Sequence, residues 1–160
     1  MSEPRPALRI VRSSNPATAL GLAVSHLMGK PAFARLQFGD WSRILVGQIN
    51  RGHYCFAADA EDRICGFMGW LLTDRDKAEA WVEDRRGLGF ADSQAGDCVV
   101  INAWSAGSLA VTHLLRRHAR RIFADKATLY FKRHYPDGST RPARLAVNAF
   151  VKQHSAKAAP

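Results

Sequence analysis

The chain has 160 residues, 47% of them apolar and 23% charged, with a formal net charge of +9. That is enough apolar material for one folded core and too much for a disordered polyelectrolyte, while no apolar run approaches the ~20 residues that a bilayer span needs. Three cysteines with no C-x-x-C pair, Cys55, Cys65 and Cys98, suggest neither a disulfide framework nor a zinc site. The excess of positive charge calls for an acidic partner, whether nucleic acid, anionic lipid or an acidic protein.

Residues 1–16, rich in Pro, Ser and Arg, read as a flexible lead-in that carries a short strand at Leu8 to Val11. It has no apolar signal segment, so a cytoplasmic location is expected. Asn15-Pro16 is a helix start, and the apolar positions Leu20, Ala23, Val24, Leu27 and Met28 keep helical spacing until Gly29 and Pro31. Asp40 reads as the N-cap of a second helix, with Trp41, Ile44, Leu45 and Ile49 on one stripe and Gly52 at its end. His53 to Asp59 and Arg63 to Leu72 are strand-like and flank the turn AEDR, which makes them an antiparallel hairpin. Residues 75 to 88 are charged and helical in part. Gly96 to Trp104 is a buried strand, Leu109 to Phe123 a helix, and Thr128 to Tyr135 another strand that ends in the turn PDGS. The segment ARLAVNAFVKQH is strand or helix, and residues 154–160 form a disordered tail. The whole predicts a single domain over 17–153, of the α/β (α+β) class, with a mixed, largely antiparallel central sheet flanked by helices.

Several features in this order carry a resemblance. They are the early Leu20-Gly21 and Pro31, the hairpin ending in Trp70, the Gly96-Asp97 element before VVINAW, the basic helix LLRRHARRIF and the basic strand YFKRHYPDG. From Leu20 to about Arg133, roughly 70% of the chain, the sequence resembles the toxin-activating lysine acyltransferases, the RTX toxin acyltransferase family. The resemblance implies an acetyltransferase-like (GNAT-like) fold, and the helix and strand order is compatible with it. It also implies an acyl carrier protein, with its phosphopantetheine thioester, as donor, no permanently bound cofactor, a lysine ε-amine of a protein or peptide as acceptor, and a homodimer. The family's catalytic His and Asp fall at Phe33 and Asn102 here, so neither titratable group is carried over.

Acyl transfer to an amine needs a base, donors for the tetrahedral oxyanion and a proton for the leaving thiolate. His26, at the edge of the first helix's apolar stripe, is the first candidate base, against the plainer reading of a packing histidine. His53, His113, His118 and His134 are secondary. Asn102 is the candidate oxyanion donor, although a buried Asn also serves structure alone. Glu79 and Glu83, four apart, read as a solvated helix face. The three cysteines read as buried, reduced thiols, and no metal site is expected.

The segment AWSAGSLAVTH lacks the Gly-rich loop that cradles the pyrophosphate of coenzyme A, which agrees with a carrier-protein donor. Arg116, Arg117, Arg120 and Arg121 share one face of the basic helix, opposite Val111, Leu114, Leu115, Ala119 and Ile122. With Lys132 and Arg133 they form the expected carrier-binding surface. Two alternatives use the same features. One is a non-catalytic relative that binds carrier protein or an acyl peptide; the other is a basic nucleic-acid-binding protein, suggested by aromatics interleaved with cations in YFKRHY.

Overall fold

The computed structural model describes residues 7–147. The expected tail at 154–160 and the end of ARLAVNAFVKQH lie outside the described residues. In chain order the elements are β1 (Arg9–Val11), α1 (Pro16–Leu27), α2 (Pro31–Ala34), α3 (Phe38–Arg51), β2 (Tyr54–Ala58), β3 (Ile64–Thr73), α4 (Arg75–Val82), a 3-10 turn (Ala91–Ser93), β4 (Cys98–Ala106), α5 (Leu109–Ile122), β5 (Thr128–His134) and β6 (Thr140–Ala146). The strands make one six-stranded sheet in sequential order. β1 with β2, β2 with β3 and β5 with β6 pair antiparallel, while β4 pairs parallel with β5 from Cys98↔Thr128 to Ile101↔Phe131. Parallel neighbours need a crossover, and α5 supplies it. The expected mixed sheet with flanking helices is therefore present.

Local chemistry explains most boundaries. The Asn15 side chain accepts from the Thr18 N–H at 3.0 Å, and Pro16 takes the first helical position, where its missing N–H costs nothing. Gly52 ends α3 in the left-handed conformation at φ 72°. Two boundaries correct the sequence reading. Pro31 opens the short helix α2 as well as following α1. Asp40 is not the cap of α3, because the helix has already begun at Phe38 behind Gln37, whose carbonyl takes the N–H groups of Asp40 and Trp41. Asp40 sits in the first turn instead, where its charge suits the positive helix end.

Contacts divide the chain into two compact units. The first holds the residues up to Gly69 together with Ala103–His118. Its core joins Ala19, Ala23 and Leu27 of α1, Leu45 and Ile49 of α3, and Phe56 and Phe67 of the hairpin. The carbonyl of Ser13 accepts from the Tyr54 hydroxyl at 2.8 Å, which ties the segment after β1 to β2.

The second unit holds Trp70–Asn102 and the residues from Ala119 on. Here Leu71, Ala78, Val82, Cys98, Val100 and Tyr130 pack together. The Tyr130 hydroxyl, buried, donates to Glu79 at 2.8 Å, and the Arg144 guanidinium forks onto Glu79 and also reaches Glu83. The expected solvated face holds for Glu83, which stays exposed, and is corrected for Glu79: β6 brings Arg144 across, and hydrogen bonds from Arg144 and Tyr130 hold the Glu79 carboxyl below the usual range.

Candidate active site

α1 ends just beyond His26, so the imidazole lies in the last helical turn and is partly buried. Its Nε2 is 3.0 Å from Oγ of Ser105 on β4. Ser105 is only 8% exposed. Along β4, Ala103 and Ser105 are two apart and project to the same face, and Ala103 is part of the α1 and α3 core. The strand that fills this core with a small apolar side chain therefore turns its next inward position, a hydroxyl, onto the helix end. The main chain of Ile64 on β3 also acts on the His26 ring and favours its charged form. The hydrogen of the His26–Ser105 pair sits on either partner as the imidazole tautomer decides; with Nε2 unprotonated, it accepts from the Ser105 O–H. Burial holds the His26 pKa below its ordinary 6.5, the Lys30 ammonium adds to the shift, and the Ile64 main chain opposes it. A neutral imidazole at pH 7 follows, which is the form a general base requires.

Ser105 was not legible as a partner. It lies 79 residues from His26, and a Ser in an apolar strand carries no sequence signal beyond its own polarity.

The position of Phe33 is closed. Phe33 is 7% exposed, packed in the core with its ring in an edge contact to Trp41 at 6.1 Å between centroids. Placing a histidine here is expected to harm the protein: Phe33→His puts an imidazole in an apolar pocket and removes ring contacts, at a cost of about 2–4 kcal/mol. Urea denaturation of the variant measures it.

Asn102 lies one residue past the last β4–β5 rung, partly exposed, and belongs to the second unit, whereas His26 and Ser105 belong to the first. The thiols offer no competing nucleophile. Burial pushes Cys55 up to about 12, and burial also raises Cys65 and Cys98. Cys65 corrects the expectation of three buried thiols: it is partly exposed, with Sγ donating to the Ala57 carbonyl at 3.4 Å.

The α5 arginines Arg116, Arg117, Arg120 and Arg121 are exposed, opposite the buried Val111, Leu114 and Leu115. No salt bridge among the described residues involves Arg116 or Arg117. Arg133 is exposed, with its guanidinium over the Phe131 ring. Lys132 differs, because its ammonium is bound by Asp84 and stacked on Trp81 at 4.3 Å, leaving the side chain 18% exposed. Among the described residues no cluster of His, Cys, Asp or Glu could hold a metal, and no helix is long and apolar enough to cross a membrane.

Comparison with known proteins agrees with the sequence resemblance. The profile of the HlyC family, described as the RTX toxin acyltransferase family, matches residues 12–148. No curated protein sequence matches. Similar solved structures include a histone acetyltransferase HPA2 and related acetyltransferase from Corynebacterium glutamicum ATCC 13032, with a TM-score of 0.46 and 16% identity over 82% of this chain and 78% of that one. Another is an acetyltransferase of the GNAT family from Listeria monocytogenes 4b F2365, with a TM-score of 0.47 and 11% identity over 95% of this chain and 84% of that one.

Proposed function

The chain belongs to the RTX toxin acyltransferase family and is an acyltransferase, and from that premise we propose that it moves a fatty acyl group from acyl carrier protein to a lysine ε-amine of a protein or peptide. The observation that carries this reading is the family match over residues 12–148. The donor thioester is itself the activated group, so the reaction asks for no permanent cofactor. The setting is cytoplasmic, where acyl carrier thioesters are made, and the chain works as the family's homodimer.

In this reading His26 is the general base, because it is the histidine held neutral beside a second reactive group. Asn102, whose amide can donate, serves the oxyanion. Arg116 and Arg117, together with Arg120, Arg121 and Arg133, form the surface that meets the acidic carrier; Lys132 contributes less, since Asp84 already holds its charge.

The test is incubation with acyl-loaded carrier protein and lysine-containing peptides, followed by mass spectrometry. Loss of acyl from the carrier with a hydroxylamine-resistant adduct on lysine supports the proposal. Binding without acyl loss leaves a carrier-binding relative, and absence of carrier binding at low salt overturns the donor assignment. Reversing two charges, Arg116→Glu with Arg117→Glu, is expected to weaken carrier binding about tenfold or more and to flatten its salt dependence. Titration at two ionic strengths reads both.

A further inference from the structure

We propose that Ser105 is the acyl-accepting nucleophile of this enzyme, activated by His26, so that transfer proceeds through an acyl-serine intermediate. The proposal rests on the acyltransferase reading above. The geometry is that of an activated hydroxyl: Oγ of Ser105, itself buried, lies 3.0 Å from Nε2 of His26, within hydrogen-bond reach of a base. In the tautomer with its hydrogen on Nδ1, the ring presents Nε2 as the acceptor of the Ser105 proton. Lys30 is the charged neighbour that acts on the ring, and it disfavours the imidazolium in the resting enzyme.

Other groups near this end of the molecule are otherwise engaged. The Ser108 hydroxyl accepts from the Val111 N–H in the first turn of α5, and Thr112 donates its hydroxyl proton to the Ser108 carbonyl. The Gly107 N–H is bound to the Cys65 carbonyl at 2.9 Å, and the Cys65 thiol is held protonated. Phe33, in the short helix that follows α1, has no proton to move and is sealed in the core. A chain that transfers acyl groups needs a base and, in Ser105, has a nucleophile bonded to one.

The steps balance. Nε2 of His26 takes the Ser105 hydroxyl proton as Oγ attacks the thioester carbonyl carbon. The C–S bond breaks, and the leaving thiolate receives that proton from the imidazolium, which leaves an acyl-serine ester and a free carrier thiol. A neutral lysine amine then attacks the ester carbon and gives a proton to Nε2. The C–Oγ bond breaks, and Oγ recovers the proton. The sum is thioester plus amine to thiol plus amide.

The experiment uses the full chain with octanoyl- and hexadecanoyl-loaded acyl carrier protein, first without acceptor. The expected result is one acyl group added to the wild-type protein, on the peptide that contains Ser105, which disappears when a lysine peptide is added. Ser105→Ala is expected to gain no acyl group and to transfer about 10²–10⁴-fold more slowly, with an unchanged melting midpoint. Ser105→Cys, with a better leaving group, is expected to carry the acyl chain as a hydroxylamine-sensitive thioester. If wild-type protein transfers acyl to lysine while Ser105→Ala, folded, does so at the same rate, the intermediate is wrong and the transferase reading stands. If wild-type protein removes acyl from no carrier, with or without acceptor, both fall.

Discussion

Replacing His26 with glutamine is expected to lower kcat/KM for acyl transfer about 10²–10⁴-fold, with little change in KM for the carrier. Glutamine keeps a donor and an acceptor near Ser105 and Ile64 but cannot take a proton at working pH. The pH profile is the sharper readout. Burial lowers the His26 pKa from 6.5, so the base is already neutral at pH 7. The rate of carrier deacylation should therefore rise with pH along an acid limb centred below 6.5 and then level off. The acid limb should be missing in the glutamine variant. Stability carries the same sign. The unfolded chain binds the His26 proton more readily than the folded one, so stability falls as pH drops through the unfolded value toward the lower folded value, and it is recovered above 6.5. An acid limb unchanged in the variant would assign the titration to another group and remove His26 from the chemistry.

Replacing Gly96 with alanine is expected to cost about 3–5 kcal/mol and to leave much of the protein insoluble on expression. Gly96 has φ +145°, a backbone conformation closed to L side chains, and a Cβ there would fall within contact distance of the Thr73 carbonyl at the end of β3. The obstacle is backbone, so no side-chain rotation relieves it. Gly87 is the control, since nothing lies within 4 Å of the position its Cβ would take. Gly87→Ala is expected to shift the denaturation midpoint little, because the position is open and φ there is not in the left-handed range. Equal midpoints for the two variants would mean that the approach of Gly96 to Thr73 is not needed for folding.

These cases separate what was legible from what was not. Gly96 was readable as the start of a buried strand, but the reason only glycine fits there is a carbonyl 23 positions earlier in the chain, at Thr73. His26 was readable as a candidate by its place at the edge of an apolar stripe, but its acidity depends on how deeply the fold buries it. Lys132 and Arg133 are adjacent and equal in charge, yet the fold ties one to Asp84 and Trp81 and leaves the other exposed. Pairings of this kind have no sequence pattern, because side chains at unrelated positions meet only after strands and helices have packed.

By itself, the sequence determined the parts whose causes are local: the Asn15-Pro16 start of α1, the left-handed stop at Gly52, the β2–β3 hairpin around AEDR, and α5 with apolar residues on one side and arginines on the other. Each depends on contacts within a few residues, where periodicity and capping chemistry act directly. The family was also legible, since its features recur in order along the chain. Only the tertiary structure decided that Phe33 is core, that Glu79 and Glu83 are held by Arg144, and that Ser105 meets His26. The last of these depends on which small side chain of β4 faces the end of α1, and all of them on separate elements packing together rather than on any one stretch of sequence.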